Sequence, residues 1–442
     1  MATNRAKLAT GKKRPIAWFL VVACLFGISW IRQGSAALES ATDRLIQSLQ
    51  WRASMYPQDP AVYNKLGAAY IQKGRETGDA SYYELARQAL SKSLELVSSD
   101  PTAASAKTHM ALVFMAEHRF HDALEWAEAA LELGSGDPTP WGTLGDALAD
   151  MGEYDQAEAA YARLRDPVAP DDSANALAST RDARLSYIRF LRGDRAGAGK
   201  LMRRAIQAAV ASHLPAENIA WESYQLGDEL FRGGNFSGAA SAYRQGLEVA
   251  PENYRCLAGM AQVRAAEEQF PEAIELYKKA LGVVPFPEYA AALGDIYART
   301  GRAEEARKQY DLVEFMGYLN TVNKTLYNRE LALFYADHEF KLKESLKLAR
   351  KELEVRHDLY TWDTLAWSLY KNGRSDEAAG AIAKALRLGT RDGQLFFHGA
   401  MIYDRMGDKV KSRQYLQNLS SMNPRFQAYY SREGKMLLAG AN

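Results

Sequence analysis

His118 and His121 are the nearest approach to a ligand pair in this chain. A spacing of three residues puts both rings on one helix face or in one turn. A metal ion needs further donors, and only Glu117 and Asp122 stand close, so the pair reads as surface or capping histidines. The other histidines, at 109, 213, 338, 357 and 398, are scattered. There is no H-E-x-x-H pair, no G-x-S-x-G elbow, no phosphate-cradling glycine loop and no paired C-x-x-C. The glycine-rich run Gly193–Gly199 falls at a turn, where glycine ends helices. Three Asn-x-Ser/Thr sequons, at Asn235, Asn323 and Asn418, are no more than chance supplies. Cys24 and Cys256 are the only cysteines, and Cys24 sits in an apolar stretch. An intramolecular disulfide is therefore not expected, and Cys256 reads as a small core side chain. No catalytic, cofactor-binding or metal-binding residue emerges. The sequence points to binding, not to an enzyme.

What positions the binding residues is a repeat. Small residues in the setting A-x-x-x-[Y/L/M/A/I]-x-x-[A/S/L/G/V] recur at Ala86, Ala123, Ala157, Ala198, Ala239, Ala273, Ala306, Ser345, Ala378 and Ser412. Their separations run 37, 34, 41, 41, 34, 33, 39, 33 and 34 residues. Such a period means stacked supersecondary units, each unable to bury its apolar face alone. Within a unit, apolar residues at i, i+3, i+4 and i+7 mark helices, and no alternating run suggests a strand.

Three units show the pattern in full. The third has Trp141, Leu144-Gly145, Gly152, Tyr154, Ala157 and Tyr161. The fifth has Leu226-Gly227, Gly234, Phe236, Ala239, Tyr243 and Pro251, and the ninth Trp362, Leu365-Ala366, Gly373, Ala378 and Ile382. This resembles the tetratricopeptide repeat, W-x-x-L-G-x-x-Y…G…A-x-x-x-F/Y-x-x-A…P, over most of residues 59–424. The resemblance implies an all-α, right-handed superhelical solenoid of about ten helix-turn-helix repeats. Small residues at the eighth and twentieth positions let two helices cross closely, and a larger side chain there costs roughly 1–3 kcal/mol. Mid-repeat glycines (152, 234, 301, 373, 407) end first helices in the left-handed conformation. Irregular joins are expected at 74–83, 166–180, 213–219 and 317–325. A leading helix within 32–58, built on Leu38, Leu45, Ile46, Leu49 and Met55, covers one end; a capping helix within 425–442 covers the other.

The resemblance also implies that the first helix of each pair lines a concave face. Its inward positions hold Asn64 and Gln72, then Asp146 and Asp150, and in the fifth repeat Trp221, Tyr224, Asp228, Phe231 and Arg232. Further on come Asp295 and Arg299, then Tyr360, Asp363, Trp367, Tyr370 and Lys371, and finally Phe397, Met401, Asp404 and Arg405. Aromatic and arginine side chains anchor most protein interfaces. The expected partner-binding set is Trp221, Tyr224, Asp228, Tyr360, Asp363, Trp367, Tyr370, Lys371, Phe397, Met401 and Arg405, gripping a protein or peptide. Packing between repeats is the other reading of these aromatics, and for Phe397 the favoured one. The lysine–asparagine pattern of carboxylate-clamp members is absent, with Asn64 and Ala68 in its place.

Net charge is +1; residues 1–14 supply +5 and leave the remainder at −4, which excludes an electrostatic nucleic-acid binder. Residues 15–31 (PIAWFLVVACLFGISWI) carry no charge and span about 26 Å as a helix. Trp18 and Trp30 near its ends and the cations before it predict an uncleaved single-pass anchor, with a cytoplasmic N-terminus and the repeats outside. A signal peptide cleaved near Gly34-Ser35-Ala36 is the alternative, and a lipobox at Val21–Cys24 a weaker one, since apolar residues follow it. Segments such as ELALFYADHEF and DTLAWSLYKNGR are similar to exported bacterial tetratricopeptide proteins, which implies the bacterial inner membrane and a periplasmic domain. The expected function is a membrane-anchored scaffold, with an accessory role in envelope or polysaccharide assembly or export as the alternative and an unrecognised enzyme third. Homo-oligomerisation through terminal repeats stays open.

Overall fold

A computed structural model describes residues 40–99, 103–165, 171–322, 328–423 and 425. Every regular element among the described residues is a helix. A leading helix, α1 (Ala41–Met55), precedes ten antiparallel hairpins. The first four pair α2 (Pro60–Thr77) with α3 (Ser81–Leu96), α4 (Ala104–Ala116) with α5 (Phe120–Glu132), α6 (Thr139–Asp150) with α7 (Tyr154–Ala162), and α8 (Asp171–Leu191) with α9 (Arg195–Ala211). Then come α10 (Ala216–Arg232) with α11 (Phe236–Val249), α12 (Tyr254–Ala266) with α13 (Phe270–Val283), and α14 (Pro287–Arg299) with α15 (Ala303–Val322). The last three pair α16 (Asn328–Asp337) with α17 (Leu342–Leu353), α18 (Leu359–Lys371) with α19 (Ser375–Ala385), and α20 (Gly393–Arg405) with α21 (Lys409–Met422). First helices of neighbouring hairpins also touch one another directly, which places them on the inner, shorter circumference.

Small residues do the work the repeat pattern assigns them. All ten anchor positions, from Ala86 to Ser412, are at most 3% exposed. A Cβ on Gly145, Gly227 or Gly294 would lie 2.3–2.5 Å from the ring of Tyr161, Tyr243 or Tyr310, sixteen residues on. One helix therefore seats the aromatic ring of its partner directly on its backbone. Each hairpin turn carries a left-handed residue, and the eighth carries two, Glu339 and Lys341. Glycine fills it in seven, whereas His118, Glu268 and Glu339 adopt positive φ (58°, 62° and 53°) without glycine's freedom.

Several joins differ from expectation. Residues 74–77 extend α2 by another turn, and only Gly78 to Ala80 connect to α3. The expected loop 166–180 is mostly helix, since α8 begins at Asp171, and α15 runs through 317–322. α1 buries Ile46 and Leu49 but leaves Leu45 and Met55 more than half exposed. Segments 15–31 and 426–442 lie outside the described residues, and no described helix is long and apolar enough to cross a membrane.

Contacts far apart in sequence reveal how the hairpins wind. The turns of hairpins one, three, four and five each lie against the join that follows the hairpin five further on. Gly78 faces Val284, after the sixth hairpin, and Gly152 faces the His357 carbonyl, after the eighth. Gly193 meets the Gly389 carbonyl, after the ninth, and Gly234 the Met422 carbonyl, at the end of the tenth. Hydrogen bonds stitch the two layers. The His357 amide donates to the Asp150 carbonyl (2.9 Å) and the Leu359 amide to the Tyr154 hydroxyl (2.9 Å). The Asn423 side-chain amide donates to the Phe231 carbonyl (2.7 Å), and Arg387 to that of Gly152 (3.0 Å). Apolar residues of hairpins three and four share one core with those of hairpins eight to ten. The concave face expected from the repeat is wound into a close coil whose successive layers touch.

Candidate functional site

Winding leaves two half-open chambers along the inner face. The first, of about 540 Å³, is ringed by the first helices of hairpins one to five, with Arg255 from the sixth and Asp358 from the second layer. The second, of about 280 Å³, lies among hairpins five to eight and the start of α20. α10 contributes to both: Glu217, Trp221 and Glu222 face the first chamber, and Asp228, Phe231 and Arg232 the second.

Both chambers are acidic. In the first, Asp146, Asp150, Glu217, Glu222 and Asp358 face three guanidiniums, Arg75, Arg184 and Arg255. Arg184 grips both oxygens of Asp146 (2.8 and 2.7 Å), and Arg75 pairs with Glu217 (2.9 Å). Asp150 pairs with Arg356 (3.0 Å), which reaches in from the second layer. The second chamber holds Asp228, Glu288, Asp295, Glu330, Asp337 and Asp392 against Arg232 and Arg425. Arg232 links the layers there, binding Asp228 (2.7 Å) and Asp392 (2.6 Å) while lying 5.0 Å over the Tyr360 ring. Burial opposes protonation of His338, but its ring N–H donates to the Asp295 carboxylate (2.7 Å) and its pKa is raised.

Enclosure desolvates these carboxylates, and burial is the leading cause of their shifts. It pushes Asp150 up to about 6, and Glu222 and Glu288 up to about 7. Glu229, behind the chamber wall and hydrogen-bonded by Ser186 (3.0 Å), reaches about 8. Glu330 moves the other way: its burial is overcome by the neighbouring Arg329.

The expected partner-binding residues divide sharply. Trp221 and Asp228 line the chambers, as do Asp146, Asp150, Phe231, Arg232 and Asp295 from the inward positions. Tyr360 donates to Asp392 (3.1 Å). Tyr224 is half-buried against Tyr243, with ring centroids 6.0 Å apart. The rest of the aromatic cluster is packing. Trp367 is 1% exposed, donates to Asp337 (2.8 Å) and stacks between His398 (4.1 Å) and Tyr370 (5.0 Å). Tyr370, Phe397, Met401 and Asp363 are equally buried, Asp363 accepting from Gln394 (2.8 Å) and sharing a hydrogen bond with His398 (2.9 Å). Lys371 pairs with Glu339 (2.7 Å), and Arg405 covers the outer side of Tyr370 at 4.0 Å. Residues absent from the sequence-based set are Glu217, Asn218, Glu222, Gln225, Glu288 and Asp392. α10 starts before the repeat consensus, and enclosure brings the flank carrying 218, 222 and 225 onto the chamber.

Comparison with known proteins finds tetratricopeptide repeats in part of the chain. Family models described as tetratricopeptide repeat match residues 114–179, 224–289 and 258–315. Over 89 residues the chain is 35% identical to the "Protein CTR9 homolog" of Arabidopsis thaliana, covering 20% of this chain and 8% of that protein. Over 80 residues it is 36% identical to "Tetratricopeptide repeat protein 8" of Caenorhabditis elegans, covering 18% and 16%. The chain thus matches only a small part of either relative's length. Among solved structures, yeast Tom70 aligns over 95% of this chain and 94% of its own, at 14% identity and a TM-score of 0.41. A tetratricopeptide repeat protein from Parabacteroides merdae aligns over 60% and 98%, at 18% identity and a TM-score of 0.33. Tetratricopeptide repeats are present in this chain, and they form a scaffold suited to protein–protein interaction.

Proposed function

We propose that this tetratricopeptide-repeat coil is a scaffold that receives a segment of a partner protein in its inner channel, held at a bacterial inner membrane by residues 15–31 with the repeats on the far side. The observation that carries the channel reading is the enclosure of two adjoining chambers lined by the inward side chains of successive first helices. Pockets lined by a few convergent polar groups are where ligands bind by default. Support for the anchor comes from the charge asymmetry around the apolar stretch: five cations precede it and only Arg32 follows closely.

Site-specific photo-crosslinking in cells tests the channel. A crosslinker at Gln225, on the chamber wall, captures a discrete partner. One at Lys308, exposed on the second-helix face, captures none. Equal capture from both positions, or capture only from Lys308, overturns the channel assignment. A carboxyl-terminal tag reached by protease only from the cytosolic side overturns the membrane topology.

A further inference from the structure

One wall of the first chamber presents acceptors that have nothing to accept from. α10 sets Asn218, Trp221, Glu222 and Gln225 on one face, at i, i+3, i+4 and i+7. Glu222 is 4% exposed; one of its oxygens accepts from the Ser179 hydroxyl, and the other has no donor. The side-chain oxygen of Asn218 also lacks one. A buried carboxylate oxygen without a donor is costly unless something supplies it. The two guanidiniums that face Glu222 are engaged elsewhere, and the open nitrogen of Arg255 lies toward Glu217 (3.8 Å). Arg184 is spread across Asp146 and Arg75 sits on Glu217. Of the five carboxylates around this cavity, Asp146, Asp150, Glu217 and Asp358 each pair with a guanidinium, whereas Glu222 accepts from the Ser179 hydroxyl.

We propose that the first chamber takes a lysine or arginine side chain of the segment bound in the channel, its ammonium or guanidinium donating to Glu222 and Asn218 with Trp221 as an aromatic wall. The inference rests on the channel reading above and names the chemistry of what enters. A cation brings donors and no acceptors, which is what unsatisfied oxygens require. It can also lie against an indole face, where the ring quadrupole favours it. A volume of about 540 Å³ admits such a side chain together with water. Glu222 is faced by Ser179 and Arg184 from α8 and by Arg75 from α2. Its carboxyl, pushed up to about 7 by desolvation, is returned toward the ordinary range by an added positive charge.

The test is calorimetric titration of the full-length protein with an unstructured glycine–serine peptide carrying lysines, alongside the same peptide with norleucine in their place. Saturable binding is expected for the lysine peptide only. Glu222→Gln, which keeps the shape and removes the charge, weakens it about tenfold or more. Glu229→Gln, on the same helix but off the chamber, leaves it unchanged. Asn218→Ala, at a half-buried position, reads the same contact should Glu222→Gln fail to fold. Equal binding of the norleucine peptide, or an unchanged affinity in a folded Glu222→Gln protein, overturns the proposal. So does cadaverine binding as tightly as the peptide, which assigns the chamber to a free amine. Partner crosslinking from Gln225 that persists at full yield in Glu222→Gln sinks the cationic subsite while leaving the channel reading intact.

Discussion

Replacing Gly234 by alanine separates the close winding from ordinary turn chemistry. Gly234 and Gly301 occupy equivalent hairpin turns with nearly identical φ, 78° and 77°. A Cβ on Gly301 meets nothing within 4 Å, whereas one on Gly234 would lie 1.9 Å from the Met422 carbonyl oxygen. The shared cost is the left-handed conformation, about 1–2 kcal/mol for alanine. Against it stands about 0.5–1 kcal/mol regained by restricting the unfolded chain. Gly301→Ala is therefore expected to cost about 1 kcal/mol or less. Gly234→Ala must also push α21 away, adding about 1–3 kcal/mol of overpacking. It further strains the buried bond from Asn423 to the Phe231 carbonyl, which contributes about 1 kcal/mol. The difference between the variants is then about 2–4 kcal/mol. Urea unfolding followed by circular dichroism measures it. Hydrogen exchange localises it, with protection lost in α21 for Gly234→Ala alone. Equal midpoints and equal exchange in the two variants would refute contact between the layers.

Four further outcomes follow from the buried polar groups. Because Asp150, Glu222, Glu288 and Glu229 have pKa values raised to between about 6 and 8, the stability they permit is full below the unfolded carboxylate range and is lost as pH rises through those values. Thermal midpoints should therefore fall from pH 5 to pH 8.5, following a loss of stability on the order of several kcal/mol in sum. Glu229→Gln should flatten the profile, and a midpoint that rises over this window contradicts it. Tyr161→Phe removes the hydroxyl bonded to Asp146 (3.0 Å) and should cost about 1 kcal/mol. Tyr243→Phe removes a buried hydroxyl that has no partner and should be neutral or stabilising by chemical denaturation. Cys256 is fully buried, with its thiol pushed up to about 12, so alkylation by iodoacetamide at pH 8 should await unfolding; rapid labelling of the native protein would contradict this.

What the sequence made legible is what short-range packing dictates. An alanine at the crossing of two helices is required by their separation, so the anchors announce themselves at a near-constant interval. Glycine turns were visible for the same reason, but His118, Glu268 and Glu339 were not, because the surrounding hairpin holds them at positive φ against their own preference. Inward positions carried over from the repeat located Asp146, Asp150, Trp221, Asp228, Arg232 and Asp295 on the channel. The same rule placed Trp367, Phe397 and Met401 there as well. Hairpins eight to ten instead fuse with hairpins three and four into one core, which takes those side chains. No periodicity within a single repeat encodes a contact five repeats away.

That long-range winding decides the electrostatics. On an open curved surface the inward carboxylates would keep their water and titrate as ordinary acids. Layer contacts such as Arg232 with Asp392 and Arg356 with Asp150 remove that water and leave one oxygen of Glu222 without a donor. Desolvated charge works against the closed coil, because a buried ion is costly unless paired. A cationic ligand offsets that cost in the wound form and finds no equivalent site once the layers part. By linkage, whatever cation binds the channel must also stabilise the winding. Affinity and closure are thus two readings of one equilibrium. A ligand that bound without raising the protection of α21 would have to be sitting somewhere other than between the layers.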